Sequence, residues 1–272
     1  MKNAYHLINF GVWKTKSEEE KIKAIADAGY KGIEGIEIDY TSEPLAVKER
    51  LEKFGLNLAA QQVPCMIMGT DDKRIAELAT EQIQIGKATG CETTVIMVPR
   101  TDGIKIHTYG TTVDHYKEAG RRLNLLGRIL ADNGINLCIH NHIDHMTESM
   151  EEMEILMNET ESRNVGICFD TAHAVCGGND PLKYAKKFHS RIRYFHLKDT
   201  KNFLFGRPYF FKNTFLPLGK GVIDFSAIMS ELYGYNGWIT VELDSTFSCG
   251  DPVNEAKTSL SYLYNLLSQR LR

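Results

Sequence analysis

The strongest constraint on the fold of this chain is a repeating pattern, in which short apolar runs alternate with amphipathic segments, several of them ended by glycine. Apolar runs at residues 5–10, 32–38, 56–61, 93–98, 135–139, 165–169, 192–197 and 238–243 have the length and flanking turn residues of buried strands. Periodic segments at 17–28, 44–54, 71–89, 112–133, 149–158, 225–233 and 252–271 predict helices, and Asp180-Pro181 opens another with proline in its first turn. Ser17 is placed to cap the first helix and Glu20 to complete a capping box, while Gly29, Gly55, Gly90 and Gly134 stand where helices must end. Eight strand–helix units without a linker or low-complexity stretch predict an α/β protein, a single (β/α)8 barrel over residues 1–272. A doubly wound sheet would want a glycine-rich turn after an early strand, and no G-x-G-x-x-G occurs.

Composition removes several classes of partner. A formal net charge of -3 supplies no field that would attract nucleic acid or an anionic membrane. No segment has the roughly 18 apolar residues of a membrane span. Residues 1–5 lead directly into a strand-like run and have no signal-peptide core, so a cytoplasmic protein is expected. Six cysteines at scattered spacings, without a C-x-x-C pair, predict buried thiols in place of a disulfide frame or zinc knuckle. The connection at 200–221 stands apart, because it lacks periodicity yet carries Phe203, Phe205, Tyr209, Phe210, Phe211 and Phe215. So aromatic a connection predicts a lid over a site or a patch against another subunit.

Polar residues at the C-terminal ends of barrel strands share one rim, and here they form a set. The fifth strand runs into His140-Asn141-His142, whose two-residue period turns both histidines the same way. The sixth, Val165-Gly-Ile-Cys-Phe, ends in Asp170-Thr-Ala-His173; the seventh supplies His196 and Lys198, and the eighth Glu242 and Asp244. Taken singly, each has an ordinary explanation: a strand histidine bonded in the core, or an aspartate capping the next helix. Glu242, between Val241 and Leu243, is harder to explain without a partner, since a buried unpaired carboxylate is costly. Together, at four successive strand ends, they are a donor set for Mn²⁺, Fe²⁺, Co²⁺, Zn²⁺ or Mg²⁺.

At these residues the chain resembles the xylose-isomerase-like barrel superfamily of sugar isomerases, epimerases, inosose dehydratases and a metal-dependent endonuclease. The segments that carry the resemblance are Asp170-Thr-Ala-His173, Gly178-x-Asp-Pro181, Phe195-His-Leu-Lys-Asp199, Leu218-Gly-Lys-Gly-Val-Ile-Asp-Phe225 and Trp238-Ile-Thr-Val-Glu-Leu-Asp244. The resemblance implies a TIM barrel holding one divalent ion, most often Mn²⁺, on Asp170, His196 and Glu242. The fourth ligand of the epimerase branch is a glutamate ending the fifth strand, and His140 stands at that place. That departure weakens an epimerase mechanism built on two metal-bound carboxylates. A His-x-His strand end beside the Gly-x-Asp-Pro and Leu-Gly-Lys-Gly motifs looks like the inosose dehydratase branch.

The expected function is therefore metal-dependent abstraction of the proton α to the carbonyl of a polyhydroxylated ketone, as an inosose dehydratase-like lyase. A ketose isomerase or 3-epimerase, and a lyase that deglycosylates keto-glycosides, share this first step. A barrel serving only as a subunit is the remote alternative, and a nuclease is disfavoured by the charge and the missing glutamate. His140, Asp170, His196 and Glu242 are the expected ligands, with His142 the base and Glu242 a second catalytic group. Trp13, Glu34 and Gln61 occupy early rim positions suited to sugar contacts, and His173 and Lys198 are expected behind the metal or on substrate hydroxyls. The expected partners are a small polyol or keto-sugar and further copies of the chain as a dimer or tetramer.

Overall fold

The computed structural model describes residues 1–11, 13–35, 44–63, 67–100, 111–201, 214–244 and 251–269. The strands in chain order are β1 (Lys2–His6), β2 (Gly32–Glu34), β3 (Asn57–Leu58), β4 (Gln61–Gln62), β5 (Thr93–Ile96), β6 (Asn136–His140), β7 (Val165–Asp170), β8 (Ile192–Leu197), β9 (Asp199–Thr200), β10 (Phe215–Leu216) and β11 (Trp238–Val241). All but the antiparallel β9–β10 pair join one sheet of nine strands, in the order β3-β2-β1-β11-β8-β7-β6-β5-β4. Every pairing recorded in that sheet is parallel. Its two ends, β3 and β4, are halves of one segment interrupted at Ala59 and Ala60, so the sheet closes on itself into the predicted eight-position barrel.

The surrounding helices are α1 (Glu18–Ala28), α2 (Pro44–Glu52), α3 (Asp72–Thr89), α4 (Val113–Ala131), α5 (Met150–Asn158), α6 (Thr171–Cys176), α7 (Pro181–Phe188), α8 (Phe225–Glu231) and α9 (Pro252–Gln269). The capping box of Ser17 and Glu20 is present, and Gly29 ends α1 in the left-handed region at φ 103°. One predicted boundary needs correction. The first strand is Lys2–His6, and Leu7–Phe10 is a 3-10 helix, because His6 Nδ1 accepts the Ile8 N–H and turns the chain there. None of the helices is long and apolar enough to cross a membrane, among the described residues. The four described cysteines are free thiols, Cys91, Cys138 and Cys168 buried as expected and Cys176 half-buried. Of the aromatic connection only its two ends are described, and Phe203, Phe205, Tyr209, Phe210 and Phe211 lie outside the described residues.

Two cores follow from strand geometry. The larger fills the layer between strands and helices; the smaller is Ala4, Ala59, Ala60, Val95, Cys138, Cys168 and Tyr194, lying within the barrel. Successive side chains of a strand point to opposite faces, so each inward residue is followed by another two positions on. One inward step beyond Ala4, Ala60, Cys138, Cys168, Tyr194 and Thr240 stand His6, Gln62, His140, Asp170, His196 and Glu242. Small or neutral side chains thus fill the barrel, and the next step places polar groups at its mouth.

Three side chains extend the strand pairing to that mouth. Asn141 exchanges two hydrogen bonds with the Asp170 backbone at 2.8 and 2.9 Å, joining the ends of β6 and β7. Thr171 Oγ1 donates to the Lys198 carbonyl at 2.7 Å and accepts its N–H at 3.1 Å, joining β7 to β8. The Asn9 amide donates to the Val241 carbonyl and accepts the Leu243 N–H, joining the first strand to the last. Beyond β8, the buried Asp199 carboxylate accepts the N–H groups of Thr200, Gly219, Gly221 and Ile223. This explains the Leu218-Gly-Lys-Gly motif: a Cβ on Gly221 would lie 2.2 Å from Asp199 Oδ1 and 2.3 Å from the Thr200 carbonyl oxygen. Asp199→Ala strands several donors, at about 1–3 kcal/mol for each one buried. Chemical denaturation should therefore show a lower midpoint for Asp199→Ala and Gly221→Ala, with an unchanged slope.

Candidate metal centre and active site

At the barrel mouth His140, Asp170, His196 and Glu242 each offer one donor atom, and these atoms lie within 4.8 Å of one another. All four are buried, with Asp170 fully so. A divalent ion bonding at about 2.0–2.2 Å would draw such a set together with small side-chain rotations. Two imidazoles and two carboxylates suit a borderline divalent ion.

Hydrogen bonding tests the fit. Asp170 Oδ1 accepts the His173 N–H at 2.7 Å and caps α6, while its Oδ2 is buried without a hydrogen bond. The aspartate is therefore both the helix cap and a candidate ligand, one oxygen for each task. His196 Nδ1 and Glu242 Oε2 stand 2.8 Å apart, yet neither makes an aligned hydrogen bond, and His140 Nδ1 is likewise unbonded. Buried polar atoms without hydrogen bonds are rare, and Asp170 Oδ2, His196 Nδ1 and Glu242 Oε2 are ones that a cation within the set would satisfy. The residues fit a divalent metal.

Beneath them Glu34 orients His196. Both Glu34 oxygens lie 3.0 Å from His196 Nε2, and Glu34 Oε2 also accepts the Tyr194 hydroxyl at 2.9 Å. With Nε2 turned to the carboxylate, Nδ1 is the nitrogen facing Glu242, the carboxylate–histidine arrangement common behind metals. Burial alone would raise the Glu34 carboxyl, but the adjoining His196 ring outweighs it and holds it at about 2. Burial pushes His140 down to about 4, against the pull of Asp170, which leaves its ring neutral and able to ligate.

Lys198 is the fixed cation of this mouth. Its fully buried Nζ lies 2.8 Å from Asp244 Oδ2, 3.2 Å from Asp170 Oδ2 and 3.3 Å from Glu242 Oε1, with the Phe215 ring at 4.8 Å. Burial works to raise Asp170, Glu242 and Asp244, yet the ammonium prevails and all three are held below the usual carboxylate range. A second group adjoins the first: donor atoms of His142, His173 and Asp244 also lie within 4.8 Å of one another. His173 Nε2 is 3.3 Å from Asp244 Oδ2, and its ring centre is 3.8 Å from that of His142. Asp244 holds a left-handed backbone, φ 49°, a strained conformation for a residue other than glycine and a frequent mark of functional positions.

A cavity of about 270 Å³ opens at these residues, lined by His140, His142, His196, Glu242 and Asp244 together with His6, Ile8, Gln62, Val63, Val95 and Met97. His142, the expected base, lines this cavity. Three other expected roles need correction. Glu34 is fully buried and bonded to His196 and Tyr194, so its carboxylate is turned to the candidate ligand and not to the cavity. Gln61 points outward, donating to the Gln82 carbonyl of α3 at 2.9 Å, because the odd position faces the helices. Its neighbour Gln62 takes the inward place, 3.0 Å from His6 Nε2. Trp13 packs edge-on against Phe10 at 4.9 Å and does not line the cavity. Lys198 has its ammonium among three carboxylates, and His173 lies at Asp244, so both act within the cluster. His6 was missed because the first strand was extended to residue 10; ending it at His6 would have placed that histidine on the rim.

Glu34→Gln keeps the packing but replaces the carboxylate behind His196. Its metal affinity should fall about 10–100-fold, measured by competition with a chromophoric chelator. Asp170→Ala should abolish any rise in melting temperature produced by added metal.

Comparison with known proteins agrees with this architecture. Residues 22–266 match the family described as xylose isomerase-like TIM barrel. An inosose dehydratase of Bacillus velezensis is 25% identical over 262 residues, covering 88% of this chain and 86% of that one. The crystal structure of a probable 3-DHS dehydratase, AsbF, from Bacillus anthracis superposes with a TM-score of 0.77 at 14% identity, covering 97% of this chain and 99% of that one. An IolI protein with a bound zinc atom gives 0.75 at 18% identity over 99% of both chains. With nearly its whole length matched and its barrel reproduced, the chain belongs to the xylose isomerase-like TIM barrel family.

Proposed function

We propose that this protein is a metal-dependent, inosose dehydratase-like lyase that removes water from a polyhydroxylated cyclic ketone. The observation that carries the proposal is the strand end His140-Asn141-His142, where one histidine joins the candidate metal set and the other faces the same cavity. Relatives named inosose dehydratase that cover most of this chain support the same reading.

His140, Asp170, His196 and Glu242 would hold the ion, with Mn²⁺ the favoured one. When bound, a divalent ion polarises a carbonyl and stabilises negative charge that develops next to it. The chain's own groups do the rest. His142 Nδ1 lies 2.6 Å from the Ile143 carbonyl oxygen, so the Nδ1 hydrogen is held there and Nε2 keeps its lone pair. Burial and the neighbouring His173 push His142 well below the usual histidine range, so it enters as a neutral base. It takes the proton α to the ketone; the β carbon–oxygen bond then breaks, and the departing hydroxyl leaves with that proton as water. Ile8, Val63, Val95 and Met97 form an apolar wall against which the carbon face of a ring can lie.

Epimerisation would need acid and base groups on both faces of one carbon. The carboxylates at the mouth that could form such a pair are already engaged by Lys198. For the Mn²⁺-loaded enzyme given keto-inositols and ketoses in D₂O, the expected outcome is enone absorbance and α-deuterium incorporation with the keto-inositol. Epimerised ketose without an enone would sink the dehydratase reading. His142→Ala should lower both signals about 10²–10⁴-fold with metal content intact.

A further inference from the structure

Two donor groups share this mouth, one built on Asp170 and Glu242 and the other on Asp244, and a single ammonium joins them. We propose that Lys198 is a built-in cation standing in for a second metal ion, so that the wild-type site loads one ion and gains another only when this lysine is removed. The inference rests on the metal centre above and is independent of the reaction assigned to it.

The geometry carries it. His142, His173 and Asp244 bring two imidazoles and one carboxylate within 4.8 Å, the residue types and spacing of a three-ligand divalent site. Asp244 is the group's only anion, and its Oδ2 already has the Lys198 ammonium at 2.8 Å. A divalent ion on the same oxygen would face that ammonium with no second carboxylate to offset the repulsion, whereas the first group has two carboxylates to share between ion and ammonium. The ammonium also reaches Asp170 Oδ2 and Glu242 Oε1, so its charge is shared between the groups as a bridging ion's would be. It cannot swing aside, because the residue is fully buried, its backbone is held on both sides by Thr171 Oγ1 and its Nζ lies over the Phe215 ring. A lysine is the compact, hydrogen-donating cation suited to such a place. A permanent cation leaves His142, His173 and Asp244 without a metal, able to move protons beside the ion held by the other four residues.

Lys198→Met removes the charge and keeps the stem, which should convert the second group into a site. After dialysis against Mn²⁺ or Zn²⁺ alone, metal content measured by mass spectrometry should be one ion per wild-type chain. It should be two for Lys198→Met and one again for the double variant Lys198→Met/His173→Ala. Lys198→Arg, which keeps a cation, should stay at one. Two ions in the wild type would overturn the proposal whatever the variants do, and so would a Lys198→Met protein that holds one ion and melts cooperatively. Retention of the extra ion in the double variant would also overturn it, by placing that ion elsewhere. No ion in the wild type would instead remove the metal centre itself, whereas failure to dehydrate a keto-inositol would touch only the assigned reaction.

Discussion

The ammonium of Lys198 is the contact on which the barrel mouth depends. Three carboxylates from two strand ends approach it, and a fourth, Glu34, lies beneath them against His196. Removing one partner from a buried ion pair costs about 3–5 kcal/mol, because the remaining charge is left uncompensated in a medium that solvates it poorly. One ammonium does not neutralise four carboxylates, so the folded mouth keeps an excess of negative charge that draws in a cation. The same excess separates this site from a surface acidic patch. Its carboxylates are buried, and two of their oxygens, Asp170 Oδ2 and Glu242 Oε2, make no hydrogen bond.

Such a cluster must be held rigidly, and the strand ends supply the means. A parallel ladder stops at the last paired residue, which leaves the first loop residues free to splay. Asn141, Thr171 and Asn9 prevent this by side-chain bonds that continue the ladder past its end between β6 and β7, β7 and β8, and β1 and β11. The asparagine between the two histidines of His140-Asn141-His142 thus fixes its own strand to the one that carries Asp170. The motif is a three-part device: a candidate ligand, a strut and a candidate base.

Much of this was legible in the sequence, because it follows from a period of two. Glycine-ended helices and short apolar runs predicted the barrel, and polar residues after the apolar runs predicted the rim. Legibility failed where parity could not be counted. The third strand breaks at Ala59-Ala60, so the odd residue Gln61 was assigned the inward place that Gln62 holds. The first apolar run continues into a 3-10 helix, and this concealed His6. Glu34, expected at the rim, lies instead at a depth where His196 covers it. Sequence period gives direction without depth, and depth separates a group that touches substrate from one that positions a ligand.

Depth also bears on the reaction. Asp170 spends one oxygen on the α6 cap and has Lys198 at the other, and Glu242 lies against both His196 and Lys198. These carboxylates stay ionised and paired with Lys198 and His196, so their oxygens are already engaged. His142, displaced two residues from the candidate ligand on the same strand face, is neutral and lines the cavity. Of the groups that line the cavity, His142 is thus the candidate base proposed above, set among carboxylates that stay ionised. In the proposed reaction, negative charge left on carbon by that base is relieved by loss of the neighbouring hydroxyl, so an imidazole at the β6 end suits elimination.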